Sequence, residues 1–174
     1  MPAEAYPVPA AGQRLRASLL RSMQPQTVRK TADTSRAATT TYEADPHLVF
    51  AAEANAVYTM WGWVKYFAST TPDIKMRFTV PTDCLGEWAW LVPGSGTPGV
   101  ATTAGYSIRT ETNDVGVGRT AYGTADTQQM TPLGAVFRMS STAGNITLEW
   151  AQNTSDATAT ILYTDSWLCF QRIA

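Results

Sequence analysis

The feature that most constrains this chain is a period of two. In the run 74–80, Ile74, Met76, Phe78 and Val80 alternate with Lys75, Arg77 and Thr79. Alternation of this kind sends apolar side chains to one face of an extended strand, where they can be buried, and polar ones to the other. Runs of similar β-forming character occupy 39–44, 47–51, 56–67, 85–91, 105–111, 133–141, 145–152, 157–164 and 166–173. Clusters of Gly, Pro, Asn and Asp separate them and mark turns. The stretches 93–104 and 112–131, rich in Thr, Gly and Pro, read as long loops. Nine or ten short strands without a second helix predict an all-β fold: a β-sandwich, with a jelly roll as the expected variety.

The first 36 residues depart from this pattern. Residues 1–10 contain Pro2, Pro7 and Pro9, which favour extended backbone and remove donors. Over residues 11–23, Leu15, Leu19 and Met23 recur at four-residue spacing with Leu20 beside them, while Arg14 and Arg21 fall on the opposite side. This predicts a short amphipathic helix, stopped by Pro25. About three turns of helix are marginal alone in water, so the stripe needs a surface to cover it. A membrane surface fits poorly, because the stripe has four apolar residues and no aromatic one. Residues 1–36 carry six basic side chains against two acidic ones, and residues 37–174 seven against twelve. The expected organisation is therefore a basic anchoring arm, 1–36, on an acidic β-sandwich, 37–174. Arg14, Leu15, Leu19, Leu20 and Met23 are the candidate anchoring residues.

One strand is apolar on both faces. Within 57–67, Tyr58, Met60, Val64 and Tyr66 share one side, and Val57, Trp61, Trp63 and Phe67 the other. Trp88 and Trp90 likewise lie opposite Leu85 and Leu91. Three explanations stand: a central strand covered on both sides by its own chain, a subunit interface, where Trp and Tyr are enriched, or a platform on which sugars stack. Trp61, Trp63, Trp88 and Trp90 are accordingly candidates for an oligomer interface or for glycan stacking. A homo-oligomer is expected, a trimer first.

The means for catalysis are sparse. His47 is the single histidine, at the start of an expected strand, and reads as a strand-end or capping residue. No second histidine exists for a zinc site, and the acidic residues are scattered singly, without paired-carboxylate spacing. Gly116, Gly118 and Ala121 match the outline of a dinucleotide fingerprint, but that motif works only where a strand turns into a helix. The pattern predicts no enzyme activity and no cofactor or metal. Cys84 and Cys169 are too few for a disulfide scaffold and read as free core thiols. Arg14, Arg16 and Arg21 interrupt every candidate signal-peptide core, no apolar run approaches the length of a membrane helix, and a net charge of −1 gives no overall basicity for nucleic acid. Synthesis and retention in the cytoplasm are expected. Charged residues make up 16% of the chain, against 26 threonines, which lies below the roughly 25% charge of typical soluble domains and suits a protein packed in an assembly.

Two segments carry a resemblance. Residues 12–41, with Gly12 to Leu15 and Val28 to Asp33, and residues 148–173, with Trp150 to Asn153 and Ser166 to Leu168, resemble the beginning and end of virion structural proteins of tailed actinobacterial bacteriophages, of minor tail or decoration type. The resemblance implies a non-enzymatic part of the virion, made in the bacterial cytoplasm, with other capsid or tail proteins as partners. The tryptophan-rich middle departs from it, so a host-glycan contact there stands as an alternative.

Overall fold

A computed structural model of the chain describes residues 24–93, 106–111, 115–124 and 127–174, together with positions 11, 12, 14, 16 and 17. Among them are twelve strands: β1 (Gln26–Arg29), β2 (Thr34–Arg36), β3 (Glu43–Ala52), β4 (Val57–Phe67), β5 (Ile74–Thr79), β6 (Leu85–Pro93), β7 (Tyr106–Glu111), β8 (Arg119–Ala121), β9 (Gln129–Arg138), β10 (Gly144–Gln152), β11 (Thr160–Leu162) and β12 (Trp167–Arg172). They form two antiparallel sheets packed as a β-sandwich. The larger has the order β1-β12-β4-β9-β6-β7, with β11 bridging β4 and β2; the smaller has the order β3-β10-β5-β8. The pairing is nested. β1 joins β12, β3 joins β10, β4 joins β9 and β5 joins β8, so strands from the two ends of the chain pair progressively inward.

Alternation decides which face each strand buries. Tyr58, Met60, Val64 and Tyr66 of β4 point into the core with Leu133 and Phe137 of β9 and Leu168 and Phe170 of β12. The smaller sheet answers with Phe50, Ile74, Met76, Phe78, Leu148 and Trp150. Aromatic rings join the two layers: Phe50 stacks on Phe170 at 4.2 Å, and Phe78 meets Trp88 at 5.4 Å and Phe137 at 5.3 Å, both edge-on. Each such pair contributes about 0.5–1.5 kcal/mol beyond its buried area. Gly62 lies between Met60 and Val64, and a side chain there would collide with the Trp167 carbonyl and Leu168 of the adjoining strand.

The division at residue 36 is corrected by the strand pairing. Residues 26–29 pair with β12 and residues 34–36 with β11, so both belong to the sandwich. Their basic residues serve it as well. Lys30 is fully buried and forms an ion pair with Asp45, Nζ to Oδ2 at 2.6 Å. The Arg36 guanidinium lies 4.1 Å from the Trp150 ring centroid and donates to the carbonyls of Glu43 and Ala44 at 2.9 and 3.1 Å. Three of the six cations assigned to an arm thus hold the body together, since Arg29 also pairs with Asp165. The helix expected over 11–23, including Leu15, Leu19, Leu20 and Met23, lies outside the described residues. Arg14 and Arg16 are described and exposed.

Two other expectations change. The runs 39–44 and 47–51 form parts of one strand, β3, because an irregularity in its pairing with β10 accommodates Pro46. The Asp45 carboxylate accepts the N–H groups of His47 and Leu48 at 2.9 and 3.2 Å and so supplies the cap expected of His47. Within the expected loop 112–131, β8 and the start of β9 are strand.

Candidate functional site

The outer face of the larger sheet holds the candidate site. With Tyr58, Met60, Val64 and Tyr66 committed to the core, β4 turns Trp61, Trp63 and Lys65 outward. The antiparallel register fixes their neighbours. Trp61 lies between Cys169 of β12 and Gly134 of β9, Trp63 between Trp167 and Pro132, and Lys65 beside Met130. Trp61 and Trp63 keep 40% and 38% of their surface exposed, and Met130 53%. The β6–β9 ladder ends at Trp90 and Leu133, next to Pro132, which has no N–H to extend it. Gly134 leaves the flank of Trp61 open, since an added Cβ would meet only the Met60 carbonyl oxygen, at 3.6 Å. The Lys65 ammonium lies 5.6 Å from the Tyr163 ring centroid. The result is an apolar row about two strand steps long with low-lying residues on one flank. Its chemistry is that of contact: it can stack on a flat partner or bury apolar side chains.

Trp88 and Trp90 are corrected to core residues. They are 2% and 0% exposed, and the Trp90 indole N–H donates to Thr131 Oγ1 at 2.9 Å. Neither reaches a partner or a sugar from this position. Leu85 faces outward on that strand with Glu87, whose carboxylate takes the Arg138 guanidinium at 2.8 Å. Met130 enlarges the exposed row and the half-buried Trp167 flanks it; the sequence reading names neither. The alternation of Leu168 and Phe170 inward marks Trp167 as outward, but its place beside Trp63 depends on pairing between strands about a hundred residues apart.

Polar groups gather at one other place. A cavity of about 320 Å³ is lined by Asp73, Gly118, Arg119, Thr120, Tyr122 and Asn153. Burial raises the Asp73 carboxyl pKa above its ordinary value, opposed by the Gly123 N–H that donates to it at 2.8 Å. Thr120 Oγ1 donates to Asn153 Oδ1 at 3.0 Å. These contacts tie the loop before β9 to the smaller sheet. Gly118 leads into strand β8, not into a helix, so the phosphate-binding geometry of the dinucleotide fingerprint is missing there. Burial also raises the Cys84 thiol pKa, which leaves little of the reactive thiolate. Among the described residues, no three His, Cys, Asp or Glu side chains form a metal-binding group, and no helix is long and apolar enough to cross a membrane.

No protein-family model matches the chain, and no curated protein matches it either.

Proposed function

We propose that this chain is a non-enzymatic structural protein of a bacteriophage virion, a minor tail, fibre or capsid decoration component that self-associates as a homotrimer. The observation that carries the proposal is the exposed row of Trp61, Trp63 and Met130 on one face of the larger sheet. Apolar surface of this kind marks a contact site, and aromatic residues dominate the energetics of protein interfaces. The nested pairing supports a jelly-roll assignment: taken in chain order, β1, β3, β4, β5, β8, β9, β10 and β12 distribute between the sheets as in a rolled antiparallel ribbon, with the β6–β7 hairpin inserted and placed beside β9. Viral capsid domains use that architecture. The resemblance of residues 12–41 and 148–173 to phage virion proteins supports the same assignment. In this proposal the segment ahead of β1, with Arg14, Leu15, Leu19, Leu20 and Met23, contacts neighbouring virion proteins. No cofactor, nucleic acid or membrane takes part.

Antibody to the purified chain should decorate intact particles in electron micrographs, and the chain should be oligomeric by light scattering at micromolar concentration. Undecorated particles, or a monomer, would overturn the proposal.

A second function has its own observation. Trp61 and Trp63 are exposed two residues apart on one sheet face beside Gly134 and Pro132, an arrangement on which a host cell-wall glycan can stack. Glycan binding by a monomeric chain, lost on Trp61→Ala, would favour it.

A further inference from the structure

We infer that Lys30 and Asp45 condense to an internal amide, a covalent link between the two sheets that the folded chain forms on itself. The ion pair is the state from which the bond forms. Its first ground is the geometry of that pair. Nζ lies 2.6 Å from Oδ2, and neither side chain has any exposed surface. The other ion pairs among the described residues use arginine or His47, which form no stable amide with a carboxyl group. Oδ2 is about 1.2 Å from Cγ, so Nζ stands no more than about 3.8 Å from the carbon it would attack. Reaction needs about 3–3.5 Å, which a small approach supplies.

The second ground is what surrounds the carboxyl group. The backbone N–H groups of His47 and Leu48 both donate to Oδ1, at 2.9 and 3.2 Å, and leave Oδ2 to the amine. Two charges withdrawn from water are costly, and passing one proton from Nζ to Oδ2 removes both. When the amine then attacks Cγ, charge collects on Oδ1, and the two N–H groups already aimed at that oxygen receive it as an oxyanion hole does. His47 Nδ1, buried and without a hydrogen-bond partner, lies 3.9 Å from the same oxygen. The Thr34 hydroxyl, hydrogen-bonded to Nζ, is placed to relay the second proton that the nitrogen loses. In balance, the Nζ–Cγ bond forms and the Cγ–Oδ2 bond breaks. Oδ2 departs as water with two of the three ammonium protons, and the third stays on the amide nitrogen. The step needs no oxidant or second molecule and runs once per chain, so it is a modification and not a turnover.

The third ground is that both backbones are fixed. Lys30 follows β1 of the larger sheet, where its N–H donates to the Ser166 carbonyl at 2.8 Å and its own carbonyl accepts the Asp165 N–H at 3.0 Å. Asp45 sits within β3 of the smaller sheet, paired with β10. The reacting groups are therefore held together by the fold itself, the condition under which an otherwise slow condensation gains most. The amide would fasten the turn ahead of β12 to β3 across the sandwich.

Mass spectrometry of the purified full-length chain tests this. The denatured wild type should be lighter than its sequence by one water. Trypsin should cut after Arg29 but not after Lys30, and should release a branched peptide in which residues 30–36 are joined to residues 37–65. Lys30→Arg keeps a cation for Asp45 but has no amine to condense, and should show its full sequence mass. The branched peptide is read from wild type alone, so the test stands even if that variant fails to fold. A folded wild type of full mass, with separate peptides on either side of Lys30, would overturn the inference. The same loss of water in Lys30→Arg, without a branched peptide in wild type, would place it in an aspartyl succinimide and overturn the inference as well.

Discussion

Lys30 and Asp45 form an ion pair, 2.6 Å from Nζ to Oδ2, in which neither side chain has any exposed surface. The pair is completed by hydrogen bonds: Lys30 Nζ also donates to Thr34 Oγ1, and Asp45 accepts two backbone N–H groups and, at 3.4 Å, the Trp150 indole N–H. Removing one partner leaves a buried charge alone, which costs about 3–5 kcal/mol. Lys30→Met should therefore lower the unfolding free energy by that margin, read as a lower urea midpoint at unchanged slope. A loss under about 1 kcal/mol would mean that water reaches Asp45 freely.

That pair also makes residues 26–36 part of the folded body. A chain beginning at residue 24 retains β1, β2 and Lys30 and should melt cooperatively by circular dichroism. A chain beginning at residue 37 exposes the edge of β12, leaves Asp45 unpaired and removes the cation over Trp150. It should show no cooperative transition. Equal melting temperatures for the two would restore the boundary at residue 36.

The tryptophans divide by environment. Trp88→Ala opens a cavity beside Phe78, to which the indole packs at 5.4 Å, and should cost about 3–5 kcal/mol. Trp61→Ala, measured below the concentration at which the chain associates, should cost less than about 1 kcal/mol. Denaturant unfolding of both variants checks the contrast.

Alkaline pH should find Tyr58. Burial raises its phenol pKa above the usual 10.0, partly opposed by the Glu53 N–H that donates to the oxygen at 3.1 Å. Because ionisation is harder in the folded chain than in the unfolded one, the stabilisation is fully present below pH 10 and is lost as pH rises through the higher folded value. Unfolding free energy should fall with a steeper alkaline limb in wild type than in Tyr58→Phe.

Much of the architecture was legible in the alternation. The inward sets of β4 and β5 follow directly from Tyr58, Met60, Val64 and Tyr66 and from Ile74, Met76 and Phe78. The strands β1, β2 and β8 were not legible as such, because three or four residues carry too little pattern and their partners, β12, β11 and β5, are distant in sequence or divided from them by a hairpin. Pro132 hid the beginning of β9 by resembling a loop residue. In β6 the competing faces could have been separated: Glu87 shares a side with Leu85 and Leu91, and a carboxylate marks the wet face. Nothing comparable marks β4, where both sides are apolar, so the outward position of Trp61 and Trp63 waits on the sheet order that leaves their face uncovered.

The nested strand pairing has a consequence for synthesis. β1 is completed as a sheet member only by β12, and Gln26 finds its partner in Phe170. Until residues 167–172 have left the ribosome, β1 and β4 have no neighbour on that side, and the earliest-made strands wait longest with apolar faces open to water. Closing so many long loops is slow, on the order of milliseconds to seconds for non-local β folds. Crowded nascent chains of this protein would thus be most vulnerable to mispairing just before their final strand appears.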